Sequence, residues 1–343
     1  MIPPGSVIYS TRATIGKVGI NAIPIATNQG FTSFIPYENQ IIPKFLGWVL
    51  IWATPQIEAL CGSTTFKEIS KGNLRQLEIP LPPLPEQHRI VEILDQAEAL
   101  RQQRRQADVL SQKILPALFH EMLGSEVNSN KTTIGNICSF VSGGTPAKSE
   151  EAYWVGSIPW ITPKDMKAIN LSNSIDHVSQ SAVTESRLKM LPAGTVLIVV
   201  RGMILAKTCP VAVTHVAATI NQDMKGLLPN EGIEPQFLCW SLLTRQQELQ
   251  TLVKTAGHGT KRFETEALKN LPVRVPSLER QMAFREAADN QTTRHFHQTS
   301  SAATLETLFQ TLLHRAFDGS LTAKWREGHA KELLQEMENQ ARA

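Results

Sequence analysis

The stretch Ile79–Ile93 reads I-P-L-P-P-L-P-E-Q-H-R-I-V-E-I, and nothing else in the chain limits its fold as tightly. Proline fixes φ and holds the residue before it extended. Leu81–Pro85 therefore cannot be the body of a helix, although Pro85 can sit in a first helical turn. From Glu86 apolar residues fall at a spacing of three and four: Ile90, Ile93, Ala97, Leu100, Ala107, Ile114 and Leu118. The pattern predicts a rigid exit from a globular unit into a helix over Glu86–Leu123, about 55 Å long at 1.5 Å per residue. Arg104 and Ser111 interrupt the stripe midway, and Pro116 should kink the last turns.

The junction recurs. V-R-V-P-S-L-E-R-Q-M-A-F at Val273–Phe284 aligns with Ile79–Ile90 at an offset of 194 residues. A second helical stripe follows over Gln281–Phe317, through Phe284, Ala288, Leu305, Leu308, Leu312 and Ala316. Upstream, Pro3, Gly5, Val7, Arg12 and Ile15 align with Pro192, Gly194, Val196, Arg201 and Ile204 at an offset of 189. After a four-residue insertion, Asn28-Gln29 aligns with Asn221-Gln222; Phe45-Leu46 and Trp48 then match Phe237-Leu238 and Trp240. An ordered series of this kind marks a duplicated unit. Nothing before Met1 corresponds to Thr133–Met190, so the first copy is expected to be incomplete, clipped at its N-terminus.

The resulting division is a partial first domain over 1–85, a long helix over 86–123 and a linker over 124–132. A complete second domain over 133–278, a second long helix over 279–320 and a polar tail over 321–343 follow. Short strands are expected at Ser6–Ser10, Gly16–Ile25 and Phe31–Ile35, a helix at Phe45–Trp52 and a buried strand at Val196–Val200. Cys61–Asn73 reads as an exposed loop and Gly257–Phe263 as a flexible basic one. A length of 343 residues with 42% hydrophobic content suits two ordinary domains. The net charge of +3 places any polyanion affinity in local clusters. The four cysteines lack C-x-x-C spacing, which argues against a zinc site or a disulfide framework and for a cytoplasmic protein. No apolar run approaches the roughly 20 residues of a membrane span.

Catalytic signatures are missing. There is no G-x-x-x-x-G-K-[ST], H-E-x-x-H, G-x-S-x-G or [ND]-P-P-[YF]. Asp165-Met166-Lys167 matches half of a nuclease D-x-K site, a short and common pattern. Binding has more support, because Lys and Arg attract phosphates while Arg, Asn and Gln read base edges. The candidate DNA-binding residues are Arg12, Lys17, Thr65 and Lys67 in the first copy. In the second they are Thr145, Lys148, Lys164, Arg201, Lys207, Lys225, His258, Thr260, Lys261 and Arg262. Taken singly, most of these cations read as solvated surface charge. Loop 257–263 is the strongest case, since Gly-rich backbone beside two cations suits a phosphate. The paired Asn-Gln segments are either base readers or structural, and Trp48, Trp160 and Trp240 read as core.

Several of these motifs carry a family resemblance: L-P-P-L-P-E-Q-H-R-I-V at 81–91, G-G-T-P at 143–146 and I-P-W-I-T-P-K-D-M at 158–166. With L-L-H-R-A-F-D-G-S-L-T at 312–322, they resemble the specificity subunit of type I restriction-modification systems over nearly the whole chain. The resemblance implies an α+β fold of two target-recognition domains, here with the first truncated, joined by two long antiparallel spacer helices. Each domain would read one half of a split double-stranded DNA sequence, the halves about one turn, roughly 34 Å, apart. It further implies two methyltransferase subunits that use S-adenosylmethionine on an adenine flipped from the stack. Restriction subunits would use ATP and Mg, with no catalytic residue, metal or cofactor in this chain. Two other readings compete: an adaptor that only assembles partner proteins, with decayed DNA recognition, and a self-contained nuclease built on Asp165 and Lys167.

Overall fold

The computed structural model describes residues 1–61, 68–124, 130–186 and 188–342. Its fold is α+β, in two compact units: Met1–Val109 with His297–Ala343, and Leu110–Phe296. Each unit combines a globular portion with a piece of each long helical stretch.

Unit 1 contains β1 (Val7–Ser10), β2 (Val18–Ile20), β3 (Phe31–Phe34), α1 (Pro43–Ala59), α2 (Lys71–Arg75) and most of α3 (Leu84–Ser111). Its antiparallel sheet has the order β2-β1-β3. Val7 and Tyr9 alternate inward from β1, and α1 covers them with Phe45, Val49, Leu50, Ala53 and Ile57. Part of the expected loop after Cys61 is ordered as α2, capped by the Ser70 side chain. Helix α3 begins at Leu84, two residues earlier than the stripe suggested, with Pro85 in its first turn.

The expected single helix to Leu123 is instead two. The chain turns after Ser111 and resumes as α4 (Ile114–Leu123). Pro116 therefore lies in the first turn of a new helix, where its missing N–H has no intrahelical acceptor to lose, and it kinks nothing. On α3, Ile90, Val91 and Leu94 are buried, whereas Leu100 is 54% exposed. They face Phe309, Leu313, Ala316 and Phe317 of α10 (Leu278–Phe317). Of the stripe expected through Leu305, Leu308, Leu312 and Ala316, Ala316 is buried here and Leu312 packs against this core, whereas Leu308 is 51% exposed and Phe309 is buried in its stead.

Beyond this apolar end the seam becomes polar. Arg101 lies 3.9 Å above the Phe309 ring and meets Glu306 at 2.5 Å, and Arg104 pairs with Asp108. Gly319, at φ +81°, ends α10, and α11 (Ala323–Gly328) and α12 (Ala330–Arg342) follow. The polar tail is anchored through Glu86, only 3% exposed, which accepts hydrogen bonds from Thr322 Oγ1 (2.5 Å) and Arg326 Nη1 (2.6 Å). Residues 322–326 thus sit by the start of α3 and Glu306 by Arg101, so the two helices run antiparallel within unit 1.

Unit 2 begins with α4, β4 (Asn130–Thr133), α5 (Ile134–Ile137), β5 (Cys138–Ser142), β6 (Ile158–Ile161), β7 (Asn170–Leu171), β8 (Asp176–Val178) and α6 (Gln180–Glu185). Then come β9 (Val196–Val199), β10 (Val211–Thr214), β11 (Thr219–Ile220), β12 (Met224–Pro229), α7 (Pro235–Leu243) and α8 (Gln246–Thr251). The unit closes with β13 (Val253–Thr255), β14 (Lys261–Phe263), α9 (Thr265–Lys269), β15 (Pro272–Val275) and the first part of α10. The main sheet has the order β5-β12-β9-β10-β7, with β9 buried along its whole length. Smaller sheets are β11-β6-β8, β13-β14 and β15-β4. Phe284 of α10 is fully buried, 5.2 Å from Phe119 of α4 and 6.2 Å from Trp240 of α7, ring to ring. Ser111 and Leu115 share a cavity wall with Gln291, Thr292 and His295, so the helices are antiparallel within this unit as well.

Strand register carries the duplication into three dimensions. Val7 pairs with Ile20 and Phe34, and Val196 pairs with Val213 and Leu227. The offset is 189 at the central strand and 193 at both neighbours, which places the four-residue insertion in the turn between them. The junction glutamine is duplicated in detail. Gln87 Oε1 accepts from Ile42 N–H (2.9 Å), and its amide donates to the carbonyls of Gln40 and Pro82 (both 2.8 Å). Gln281 Oε1 accepts from Glu234 N–H (2.9 Å), and its amide donates to the carbonyls of Gly232 (3.2 Å) and Pro276 (2.9 Å). Both side chains are fully buried, where an unpaired backbone group would cost about 1–3 kcal/mol.

Burial pushes the thiol of Cys138 up to about 12 and that of Cys209 up to about 11, and raises Cys239 as well. A raised pKa leaves little thiolate, the reactive form. At pH 8 the native protein should therefore release colour from Ellman's reagent for the partly exposed Cys61 alone, and for all four cysteines after unfolding. Two or more fast thiols in the native state would contradict this burial. Among the described residues, no helix is long and apolar enough to cross a membrane.

Candidate nucleic-acid interface

Three segments far apart in sequence meet in unit 2. β6 runs parallel to β11, with Trp160 opposite Thr219, so the I-P-W-I-T-P-K-D segment ends beside Asn221-Gln222. The 142–146 loop is laid against the same place. Gly144 N–H donates to the Ile220 carbonyl (2.9 Å), and Trp160 Nε1–H donates to the Gly144 carbonyl (3.0 Å). Glycine is required at 143, since a Cβ there would lie 2.1 Å from the Asn221 carbonyl oxygen. The result is an open cleft of about 680 Å³ whose walls include Thr145, Lys148, Trp154, Lys164 and Gln222.

Within the Asn-Gln pair the roles separate. Asn221 is buried and closes a turn, accepting from Asp223 N–H (3.1 Å) and donating to the Asp223 carboxylate (3.3 Å). Gln222 is exposed in the cleft, where the Thr145 hydroxyl donates to its Oε1. Asp165 is likewise consumed by its own loop. Its Oδ2 accepts from the N–H (2.8 Å) and hydroxyl (2.9 Å) of Thr162, and its Oδ1 from Ile175 N–H (2.8 Å). Lys167 lines a different cavity, with Gln112 and Trp240, so the half nuclease motif is not assembled into a site. Among the described residues no group of three or more His, Cys, Asp or Glu is placed to hold a metal ion.

Residues 257–263, expected as a flexible loop, form a hairpin. β14 pairs antiparallel with β13, and Ala256 N–H donates to the Thr260 carbonyl (2.7 Å) across the Gly257–Gly259 turn. The other edge of β14 is held too, through Phe263 N–H to the Val200 carbonyl and Gly202 N–H to the Lys261 carbonyl (both 2.9 Å). These bonds place Arg201 opposite Arg262 in an antiparallel bridge. A second cavity of about 500 Å³ opens there, lined by Arg201, Lys225, Arg262 and again Gln222. The shared glutamine makes the two clefts neighbours.

The charges in this second cavity are unevenly matched. Its two carboxylates are paired elsewhere, Glu264 to Lys254 (2.9 Å) and Glu266 to Lys269 (2.8 Å). The Lys254 hydrogen bond and charge, with a smaller contribution from Arg262, hold the Glu264 carboxyl below the usual carboxylate range. Partial burial and the charge of Lys269 pull the Lys225 ammonium below the usual lysine range, while it donates to Ser142 Oγ (2.5 Å).

Five of the sequence candidates of the second copy thus converge as cations, Lys148, Lys164, Arg201, Lys225 and Arg262, and Thr145 joins them. Lys207, Thr260 and Lys261 line neither cleft; the Lys261 ammonium donates to Thr255 Oγ1 (2.7 Å) and the Lys207 carbonyl accepts from Gln250 (2.6 Å). Arg12 and Lys17 belong to unit 1, where Arg12 pairs with Glu68 at 3.7 Å. Thr65, Lys67 and the His258 side chain lie outside the described residues. Two further cleft residues stand out: Gln222, of the Asn-Gln pair left open between base reader and structural residue, and Trp154, which was not among the candidates. Gln222 was signalled by its repeat in both copies but masked by its structural neighbour. Trp154, edge-on to the buried Trp160 at 5.0 Å, carries no signal beyond being aromatic.

Three comparisons bear on this geometry. A family model for the type I restriction modification DNA specificity domain matches residues 1–108 and 126–311. The specificity subunit of the type I restriction enzyme EcoR124I/EcoR124II from Escherichia coli is 33% identical over 229 residues, 64% of this chain and 56% of that one. The MjaIX specificity subunit of Methanocaldococcus jannaschii is 29% identical over 43% of this chain and 34% of its own length. This chain thus spans little more than half of the first relative and a third of the second. A chain from a solved structure addressing complex assembly and conformational transition of the type I R-M system superposes with a TM-score of 0.67. The superposition covers 93% of this chain and 83% of that one at 20% identity, a likeness of fold.

Proposed function

This chain belongs to the type I restriction modification DNA specificity domain family, and from that premise we propose that it is the DNA-targeting subunit of a restriction-modification complex. In this reading residues 133–278 act as one recognition module and residues 1–85 as the other, each addressing one half of a split duplex sequence. Specificity subunits carry no chemistry of their own. Partner methyltransferase subunits would supply S-adenosylmethionine and modify adenine, and restriction subunits would cut the duplex with ATP and Mg. The observation that supports the DNA reading most is the pair of clefts sharing Gln222, with five cations around them. Lys and Arg suit phosphates, and a glutamine amide between them is suited to the N6/N7 edge of adenine.

Salt dependence tests this. Each phosphate neutralised contributes about −0.9 to the slope of log affinity against log salt, so about five cations should weaken duplex binding roughly 10²–10³-fold between 50 and 200 mM NaCl. Fluorescence anisotropy of the full-length chain with a labelled duplex measures the slope directly. A flat response would instead favour an adaptor that holds partner proteins without reading DNA.

A further inference from the structure

We propose that Arg201, Lys225 and Arg262 form a DNA-phosphate clamp in the second recognition module, and that the first module has closed the equivalent clamp with its own carboxylate. The inference rests on the DNA-targeting reading and concerns how the two copies divide that work.

The comparison is position by position. Arg12 is the counterpart of Arg201 at the offset of 189 that also relates β1 to β9. Each arginine sits in an isolated antiparallel bridge just beyond its strand, Arg12 with Glu68 and Arg201 with Arg262. Thr32 pairs with Tyr9 as Lys225 pairs with Ile198, so Thr32 takes the place of Lys225. The same frame thus carries Arg, Thr and Glu in one copy and Arg, Lys and Arg in the other. Three positive charges stand where the first copy has none in sum.

Residues opposite one another in an antiparallel bridge put their side chains on one face, where unlike charges attract and like charges repel. In unit 1 the attraction is realised as the Arg12–Glu68 pair at 3.7 Å. In unit 2 Arg201 and Arg262 are both exposed, with Lys225 on the same cavity wall. Among the described residues no carboxylate lies within ion-pairing distance of any of the three. Glu264 and Glu266, which line the cavity, are held by Lys254 and Lys269. Repulsion across the bridge is relieved when an anion sits between the guanidinium groups, and two such forks match phosphate oxygens bidentately. The cations lining the nearby cavity of unit 1, Lys71 and Arg75, come from α2 and not from the bridge.

The test uses the full-length chain and a labelled 30-base-pair duplex of mixed sequence, titrated at several NaCl concentrations. The paired substitution Arg201→Gln with Arg262→Gln should make the log–log salt slope shallower by nearly two, at about 0.9 for each phosphate no longer neutralised. Arg12→Gln should leave the slope unchanged, and Glu68→Arg, which frees Arg12 and adds a second guanidinium, should steepen it by nearly two. Arg201→Lys with Arg262→Lys should keep a steep slope, which separates removal of charge from damage to the fold. Equal effects of Arg12→Gln and the Arg201/Arg262 pair would overturn the asymmetry. A steep wild-type slope untouched by the pair would overturn the clamp while leaving the DNA-targeting reading in place. A flat wild-type slope would remove both.

Discussion

Phe284→Ala is expected to destabilise unit 2 by about 3–5 kcal/mol, the range for truncating a buried phenylalanine. The ring is fully buried in the first turns of α10, and its neighbours come from separate elements: Phe119 on α4 and Trp240 on α7. Helix backbones cannot collapse into the space that the ring leaves, so the penalty should fall toward the upper part of that range. Denaturant unfolding followed through tryptophan fluorescence measures it, since Trp240 lies against the altered site. Phe284→Leu, which keeps most of the volume, should lose less than half as much. Leu308→Ala, at a site 51% exposed on the same helix, should stay within about 0.5 kcal/mol of the parent. Similar losses for Phe284→Ala and Leu308→Ala would mean that the seam is not packed as described.

Arg326→Ala should be nearly as damaging, for a different reason. It leaves Glu86, 3% exposed, with the Thr322 hydroxyl as its remaining described partner. Stranding one member of a buried ion pair costs about 3–5 kcal/mol, most of it the desolvation of the charge left behind. Arg326 is itself partly open to solvent, which places the expectation at the lower end of that range. Removing both charges should recover most of the loss, so Glu86→Gln with Arg326→Met is expected to melt close to the parent. Thermal unfolding reads the stability. Limited proteolysis should show faster cleavage after Phe317 in the single variant alone. If both variants melt alike, the Glu86 site is not a closed one.

Much of this architecture was legible because the chain states it twice. The buried run at β9 and the four-residue insertion both reappear in the strand register, and the junction prolines in the start of α3. What escaped is what depends on a helix's partners. The stripe on α10 was placed through Leu308, but the aromatic rings of Phe309 and Phe317 fit against Trp48 and Phe45 and set the rotation, which leaves Leu308 outside the seam while Leu312 stays in it. The break after Ser111 carries no glycine or proline at the point where it happens, so Pro116 drew the expectation downstream. Similarly, the cations of the interface could be named singly but not assembled. Their convergence depends on pairings between residues tens of positions apart: Trp160 with Thr219, Ile198 with Lys225, Arg201 with Arg262. Nothing in local periodicity encodes such pairings. Lys207 and Lys261 show the converse, being basic and nearby in sequence yet absent from both cleft walls.

The glutamine at each helix exit makes its hydrogen bonds to main-chain groups, one amide and two carbonyls. Such a socket is blind to the side chains around it. Loops and surfaces upstream can change residue by residue, or be exchanged wholesale, without disturbing the angle at which the helix departs. The part of the molecule free to vary is thereby mechanically insulated from the part that must stay straight.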